Sequence, residues 1–198
     1  MTLIPLHPHR SRIDDASLAR RVGAGDRDAL ATIYAQEAGG VYRYALALCG
    51  NAGWAADAVQ EAFIALATRA QAFDGSRGTL GSWLAGVARH ALLAQWRAAR
   101  QHEPLDETDD DPSHAGPQAP SIDAILVRRQ DTEALWSAIR SLPWPFREAL
   151  VLVDLQERPY EQAAAIAGIE LNTLRTRLHR ARARLAALLN DAAAGEAA

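Results

Sequence analysis

The chain has 198 residues, of which 49% are hydrophobic and 23% charged, and its net charge is −3. That length admits one ordinary domain or two small ones, no apolar run reaches the roughly 18 residues of a bilayer span, and a single cysteine, Cys49, excludes an internal disulfide. A mildly acidic total argues against a protein that grips nucleic acid unaided, so the distribution of charge carries more information than its sum.

Alanine is abundant, leucine, arginine, glutamate and glutamine fill much of the rest, and β-branched residues are too scattered for alternating strands, so the predicted fold is all-α. The amino end, MTLIPLHPHRSR, carries two prolines and lacks the continuous apolar core of a secretion signal, which predicts a frayed tail on a cytoplasmic protein. Asp14 or Asp15 is expected to cap a short helix carrying Leu18 and Val22. Asp26 is expected to cap a second helix, which turns Leu30, Ile33, Tyr34, Tyr44 and Leu48 inward and is bent or interrupted at Gly39-Gly40. Cys49, in the run ALALCG, reads as a buried small hydrophobe. A third helix follows Asn51 with Val59, Phe63, Leu66 and Ala70 at helical spacing, and a fourth follows Gly78-Thr79 with Leu80, Trp83, Leu84, Val87 and Leu92. These four make a small bundle over residues 13–100.

Residues 101–121, QHEPLDETDDDPSHAGPQAPS, combine four prolines with acidic residues and lose apolar periodicity, which predicts a flexible acidic linker. The second predicted domain, 122–190, opens with Ser121 as a cap for a helix bearing Ile122, Ile125, Leu126, Leu135, Trp136 and Ile139 that ends at Leu142-Pro143. Another helix is expected from about Pro145 to Leu155. After Pro159, a short helix ending near Gly168, a turn of about three residues and a longer helix from near Asn172 spell a helix-turn-helix.

In that last helix Leu174, Leu178, Ala181 and Leu185 fall on one face, which leaves Asn172, Thr173, Arg175, Thr176, Arg177 and Arg180 for the other. Between Leu171 and Asn190 every full charge is positive. Arginine forks suit guanine edges and phosphates, and Thr or Asn add base or backbone contacts. A solvated basic face on a structural helix fits the same periodicity equally well. The histidines at 7, 9, 90, 102, 114 and 179 show no metal-ligand spacing, and no phosphate-cradling loop or nucleophile elbow occurs. The sequence therefore calls for no metal, no cofactor and no catalytic residue.

Residues 54–97, WAADAVQEAFIALATRAQAFDGSRGTLGSWLAGVARHALLAQWR, resemble the core- and promoter-binding part of bacterial sigma factors of the extracytoplasmic-function (ECF) group. Residues 142–185, LPWPFREALVLVDLQERPYEQAAAIAGIELNTLRTRLHRARARL, are similar to that group's second domain, and both stretches stand in the family order. The resemblance implies two small helical domains joined by a flexible acidic linker, working as an alternative sigma factor. Its implied partners are core RNA polymerase, through the β′ coiled coil and the β subunit, promoter DNA, and an anti-sigma factor, with no direct membrane insertion. A stand-alone helix-turn-helix regulator is the competing reading.

The same resemblance assigns Asp57, Gln60, Glu61 and Phe63 of the DAVQEAF motif to polymerase binding, where a solvated acidic stripe beside a core Phe63 is the structural alternative. It assigns the FDGSRG loop, with Phe73, Asp74, Ser76 and Arg77, to capture of a base flipped from the downstream (minus-10) element. Along the next helix Trp83, Arg89, His90 and Arg97 are candidates for stacking or phosphate contact, although Trp83 fits a core position as well. The outward face of the last helix is assigned to the upstream (minus-35) element. The family often has Asn at the position of His90 and Asp at that of Ala94, a departure that bears on downstream preference. In EQAAAIAG, alanines replace larger aliphatic residues, each worth about 1–3 kcal/mol of burial, which predicts a second domain of marginal stability.

Overall fold

The computed structural model describes residues 12–100 and 126–196, with side-chain surroundings for 14–99 and 132–190. Among the described residues every element is helical: α1 (Arg12–Gly23), α2 (Arg27–Cys49), α3 (Ala52–Arg69), α4 (Leu80–Arg100), α5 (Leu126–Ser141), α6 (Trp144–Leu150), α7 (Tyr160–Ala167) and α8 (Leu171–Glu196). The expected 101–121 linker and the Ser121 cap with Ile122 and Ile125 lie outside the described residues.

Helices α1 to α4 pack around Ile33, Tyr44, Leu48, Leu66, Leu80, Leu84 and Leu92, all fully buried. Local chemistry sets their ends. Asp26 accepts from the amides of Asp28 and Ala29, both at 3.0 Å, and Asn51 accepts from Trp54 N at 3.0 Å, so both expected caps form. Gly50 closes α2 in the left-handed region at φ 66°, with its amide on Leu46 O, and the Cβ of any other residue there would strike the Arg140 side chain. Cys49 is half-buried, and desolvation raises its thiol pKa, as a packed small hydrophobe requires.

Five expectations need correction. Asp15 does not cap its own helix: it is 3% exposed and accepts the amide of Leu80 at 2.8 Å, so α1 caps the start of α4. There it joins Thr79, whose hydroxyl accepts from Ser82 N at 3.2 Å. Gly39-Gly40 leaves α2 unbroken from Arg27 to Cys49; the glycine penalty, about 1 kcal/mol each, is offset by buried side chains on both sides of the pair. Tyr34 faces outward, 53% exposed, and Ala70 lies beyond α3 in a short 3-10 turn, Ala70–Ala72. The helix expected over 145–155 is two pieces, α6 and a π-helical turn at Val151–Leu155, followed by Glu157 at φ 52°.

In the second domain Ile139, Leu142, Trp144, Leu150, Val151, Leu152, Ile166, Leu174 and Leu178 form the core. Helix α7 buries Ala163, Ala164 and Ala167, and it packs against both α8 and α4 of the first domain. Helix α7 thus lies between α8 of its own domain and the first domain.

Candidate functional site

The helix-turn-helix is built by a Schellman turn. Gly168, left-handed at φ 66°, donates to Ala165 O at 3.3 Å, and Ile169 N reaches back to Ala164 O at 3.0 Å. Glu170 then accepts from Leu174 N at 3.0 Å and opens α8. Burial of Leu174, Leu178 and Ala181 fixes the rotation of α8, so Asn172, Thr173, Arg175, Thr176 and Arg180 are exposed and Arg177 half-buried.

This exposed face is ordered by its own bonds. Arg175 Nη1 donates to Asn172 Oδ1 at 3.3 Å, and Thr176 Oγ1 donates to Asn172 O at 3.0 Å. Beside it a cleft of about 490 Å³ runs between Pro145 and Phe146 on one side and Asn172, Thr173, Thr176, Arg177 and Arg180 on the other. Arg184 lies over the Phe146 ring, 4.5 Å from its centroid. Arg182 is committed elsewhere: its Nε and Nη2 bond both Asp154 oxygens at 2.9 and 2.6 Å, and that pairing raises its pKa. The basic run therefore divides into outward groups and one structural fork, a split that periodicity cannot reveal because Asp154 lies 28 residues away.

On α3, Asp57, Gln60 and Glu61 are exposed, as expected, and Phe63 is buried. Asp57 Oδ2 accepts a long bond from Gln95 Nε2 at 3.4 Å. The face also contains what the sequence reading missed: Tyr34 packs tilted against Phe63 with ring centroids 4.8 Å apart, and with Leu30, Val59, Gln60 and the 45% exposed Ile64 it lines an apolar groove of about 510 Å³. Spacing carried a signal, since Asp57, Gln60, Glu61 and Ile64 stand at i, i+3, i+4 and i+7.

The 73–78 loop is a turn clamped by Asp74, whose Oδ1 accepts from Ser76 N at 2.9 Å and Ser76 Oγ at 2.7 Å; Arg77 N bonds Asp74 O at 3.0 Å. The Ser76 bonds lower the Asp74 pKa. Asp74, Ser76 and Arg77 are exposed, whereas Phe73 and Trp83 are half-buried and meet edge to face at 6.4 Å. Trp83 thus has a packing role. On α4, His90, Ala94 and Arg97 are exposed. Arg89 is not: its Nε bonds Glu148 Oε1 of the second domain at 2.6 Å. Burial alone would lower the Arg89 pKa, but the bond to Glu148 and its charge outweigh burial and raise it. Among the described residues no cluster of His, Cys, Asp and Glu could hold a metal ion, and no helix is long and apolar enough to cross a membrane.

A helix-turn-helix with an outward basic face, packed against a helical domain that exposes an acidic and apolar face, has the architecture of the DNA-binding helical proteins. Comparison with known proteins narrows this class. Residues 33–102 match the family model of sigma-70 region 2, and residues 132–185 match that of sigma-70 region 4. The chain is 32% identical over 146 residues to the ECF RNA polymerase sigma factor EcfG of Rhodopseudomonas palustris, covering 74% of this chain and 77% of that protein. It is 31% identical over 180 residues to SigM of Mycobacterium tuberculosis, covering 91% and 87%. It is also 33% identical over 150 residues to SigE of Mycolicibacterium smegmatis, and there it spans 76% of this chain and 57% of the relative's length. The fold matches the sigma factor RpoE solved with the anti-sigma factor NepR from Bartonella quintana, with a TM-score of 0.62, 25% identity, and 80% and 95% coverage. It also matches CnrH solved with the cytosolic domain of CnrY, with a TM-score of 0.65, 21% identity, and 89% and 97% coverage. The chain belongs to the ECF group of RNA polymerase sigma factors.

Proposed function

We propose that this chain brings core RNA polymerase to particular promoters, with α8 reading the minus-35 element in the major groove. The supporting observation is the rotation of α8, which buries Leu174, Leu178 and Ala181 and leaves Arg175, Thr176 and Arg180 exposed beside an open cleft. In this reading residues 13–100 bind core polymerase and the minus-10 element, 101–121 connect, and 122–190 bind the minus-35 element. Asp57, Gln60 and Glu61 meet basic groups of the β′ coiled coil, and the adjoining groove over Phe63 takes an apolar side chain. The clamped 73–78 loop presents Asp74, Ser76 and Arg77 to an extruded base, and His90 and Arg97 face the separated strand.

The net charge of −3 suits a subunit of this kind, because polymerase supplies most phosphate contacts and tethering raises the effective concentration of α8 at its site. Catalysis belongs to polymerase, the place of action is the bacterial cytoplasm, and an anti-sigma protein is the expected inhibitor. The test is transcription by core polymerase reconstituted with this chain on a genomic promoter library. Output from a discrete promoter set sharing an upstream element is the expected result. No promoter-dependent output, together with an isolated dimer that binds a palindromic operator, would replace this reading with that of a stand-alone regulator.

A further inference from the structure

The contact between the two domains centres on one carboxylate. Glu148, on α6, points out of its own domain, and its Oε1 accepts from Tyr44 Oη at 2.9 Å and from Arg89 Nε at 2.6 Å. The Arg89 and Glu148 side chains are 15% and 1% exposed. Bonds around the rim hold the same faces together. Arg158 Nη1 donates to Ser82 Oγ at 3.2 Å, Gln156 Nε2 to Gly40 O at 3.4 Å, and Arg147 Nη1 to Leu48 O at 2.6 Å, near the end of α2.

A guanidinium binds carboxylate and phosphate oxygens by the same charge-assisted bonds. Arg89 lies on α4, the helix whose exposed His90 and Arg97 face the expected path of the separated strand. While its Nε holds Glu148, that donor is withheld from any phosphate. The other Glu148 oxygen, Oε2, is buried with no hydrogen-bond partner among the described residues, so the anion is incompletely compensated and the contact is poised to release. His90 and Arg97 of α4 and the α8 face are exposed in the same arrangement, so closure withholds Arg89 and leaves those groups accessible.

We propose that in the free chain Glu148 stands in for a DNA phosphate at Arg89, holding the second domain against α4 beside its exposed His90 and Arg97, and that single-stranded promoter DNA and Glu148 compete for this arginine. The inference rests on the reading of α4 as a DNA-facing helix. Closure withholds affinity in proportion to the open fraction: with roughly nine-tenths of chains closed, apparent binding weakens about tenfold.

The experiment compares the full chain with Glu148→Ala by small-angle scattering, and by anisotropy of a fluorescein-labelled single-stranded oligodeoxynucleotide of roughly 12 nucleotides. Wild type should scatter as a compact particle and bind weakly. Glu148→Ala should expand and gain about tenfold or more in single-strand affinity, with affinity for a minus-35 duplex unchanged. Adding Arg89→Gln to Glu148→Ala should remove the gain while the particle stays expanded. An extended wild type, a compact Glu148→Ala with unchanged affinity, or an expansion without any gain in binding would each overturn the proposal. Should Glu148→Ala lose its helical circular dichroism, Arg158→Gln, which cuts the rim bond to Ser82, is read by the same two measurements and the same criteria. Failure of the wider promoter reading would instead leave the scattering result intact and abolish promoter-dependent transcription with core polymerase.

Discussion

Replacing the arginines of α8 one at a time should separate base reading from phosphate binding. Arg175 is exposed and held by Asn172 at 3.3 Å, so its fork is aimed before DNA arrives, whereas Arg177 is half-buried in the cleft beside Pro145 and Phe146. A lost bidentate base contact is worth about 1–3 kcal/mol, or roughly 5- to 150-fold in affinity. Arg175→Ala should therefore relax preference at one base pair of the minus-35 element by that factor. Asn172→Ala, which frees the Arg175 fork, should shift the same base pair by less. Arg177→Ala should weaken binding across all sequences and lower the slope of log affinity against log salt by about one. Folding is not at stake for an exposed arginine, whose removal changes stability by about 0.5 kcal/mol or less. The assay is holoenzyme transcription and duplex binding on matched and base-substituted promoters at several salt concentrations, with circular dichroism as the folding check. If folded Arg175→Ala keeps wild-type base preference and an unchanged salt slope, α8 is not the promoter reader and its basic face is solvated structure.

On α3, Glu61→Lys should weaken core-polymerase association by reversing interface charge, and Ile64→Asp should do so by placing an anion at the apolar groove; both should stay helical, and co-elution with core polymerase reads the result. Asp15→Ala removes the acceptor for the buried Leu80 amide and should destabilise the first domain by about 1–3 kcal/mol in urea unfolding. Burial, then the charge and hydrogen bond of Glu148, raise the Tyr44 pKa well above 10.0. The protonated phenol is the form the closed state favours, so its contribution is complete below pH 10 and is lost as pH rises toward the folded-state value. Thermal melts should show stability falling from about pH 10 upward, and Tyr44→Phe should reduce that dependence.

What the sequence determined by itself is the local architecture. The Asp26 and Asn51 caps, the Gly168 turn and the buried stripe of Leu174, Leu178 and Ala181 all formed where expected. Each depends on groups within about one or two helical turns, so spacing along the chain encodes it. Tertiary structure decided the remainder. Asp15 caps a helix 65 residues away, Asp154 takes Arg182 out of the basic face across 28 residues, and Glu148 claims Arg89 across 59. Gly39-Gly40 continues as helix because packing outweighs a propensity of about 1 kcal/mol per residue. Tyr34 turns outward to cover Phe63 because α3 packs beside α2. Charge and polarity in a sequence state what a side chain is able to bond, but which partner it receives depends on chain segments brought together only by burial of the two cores.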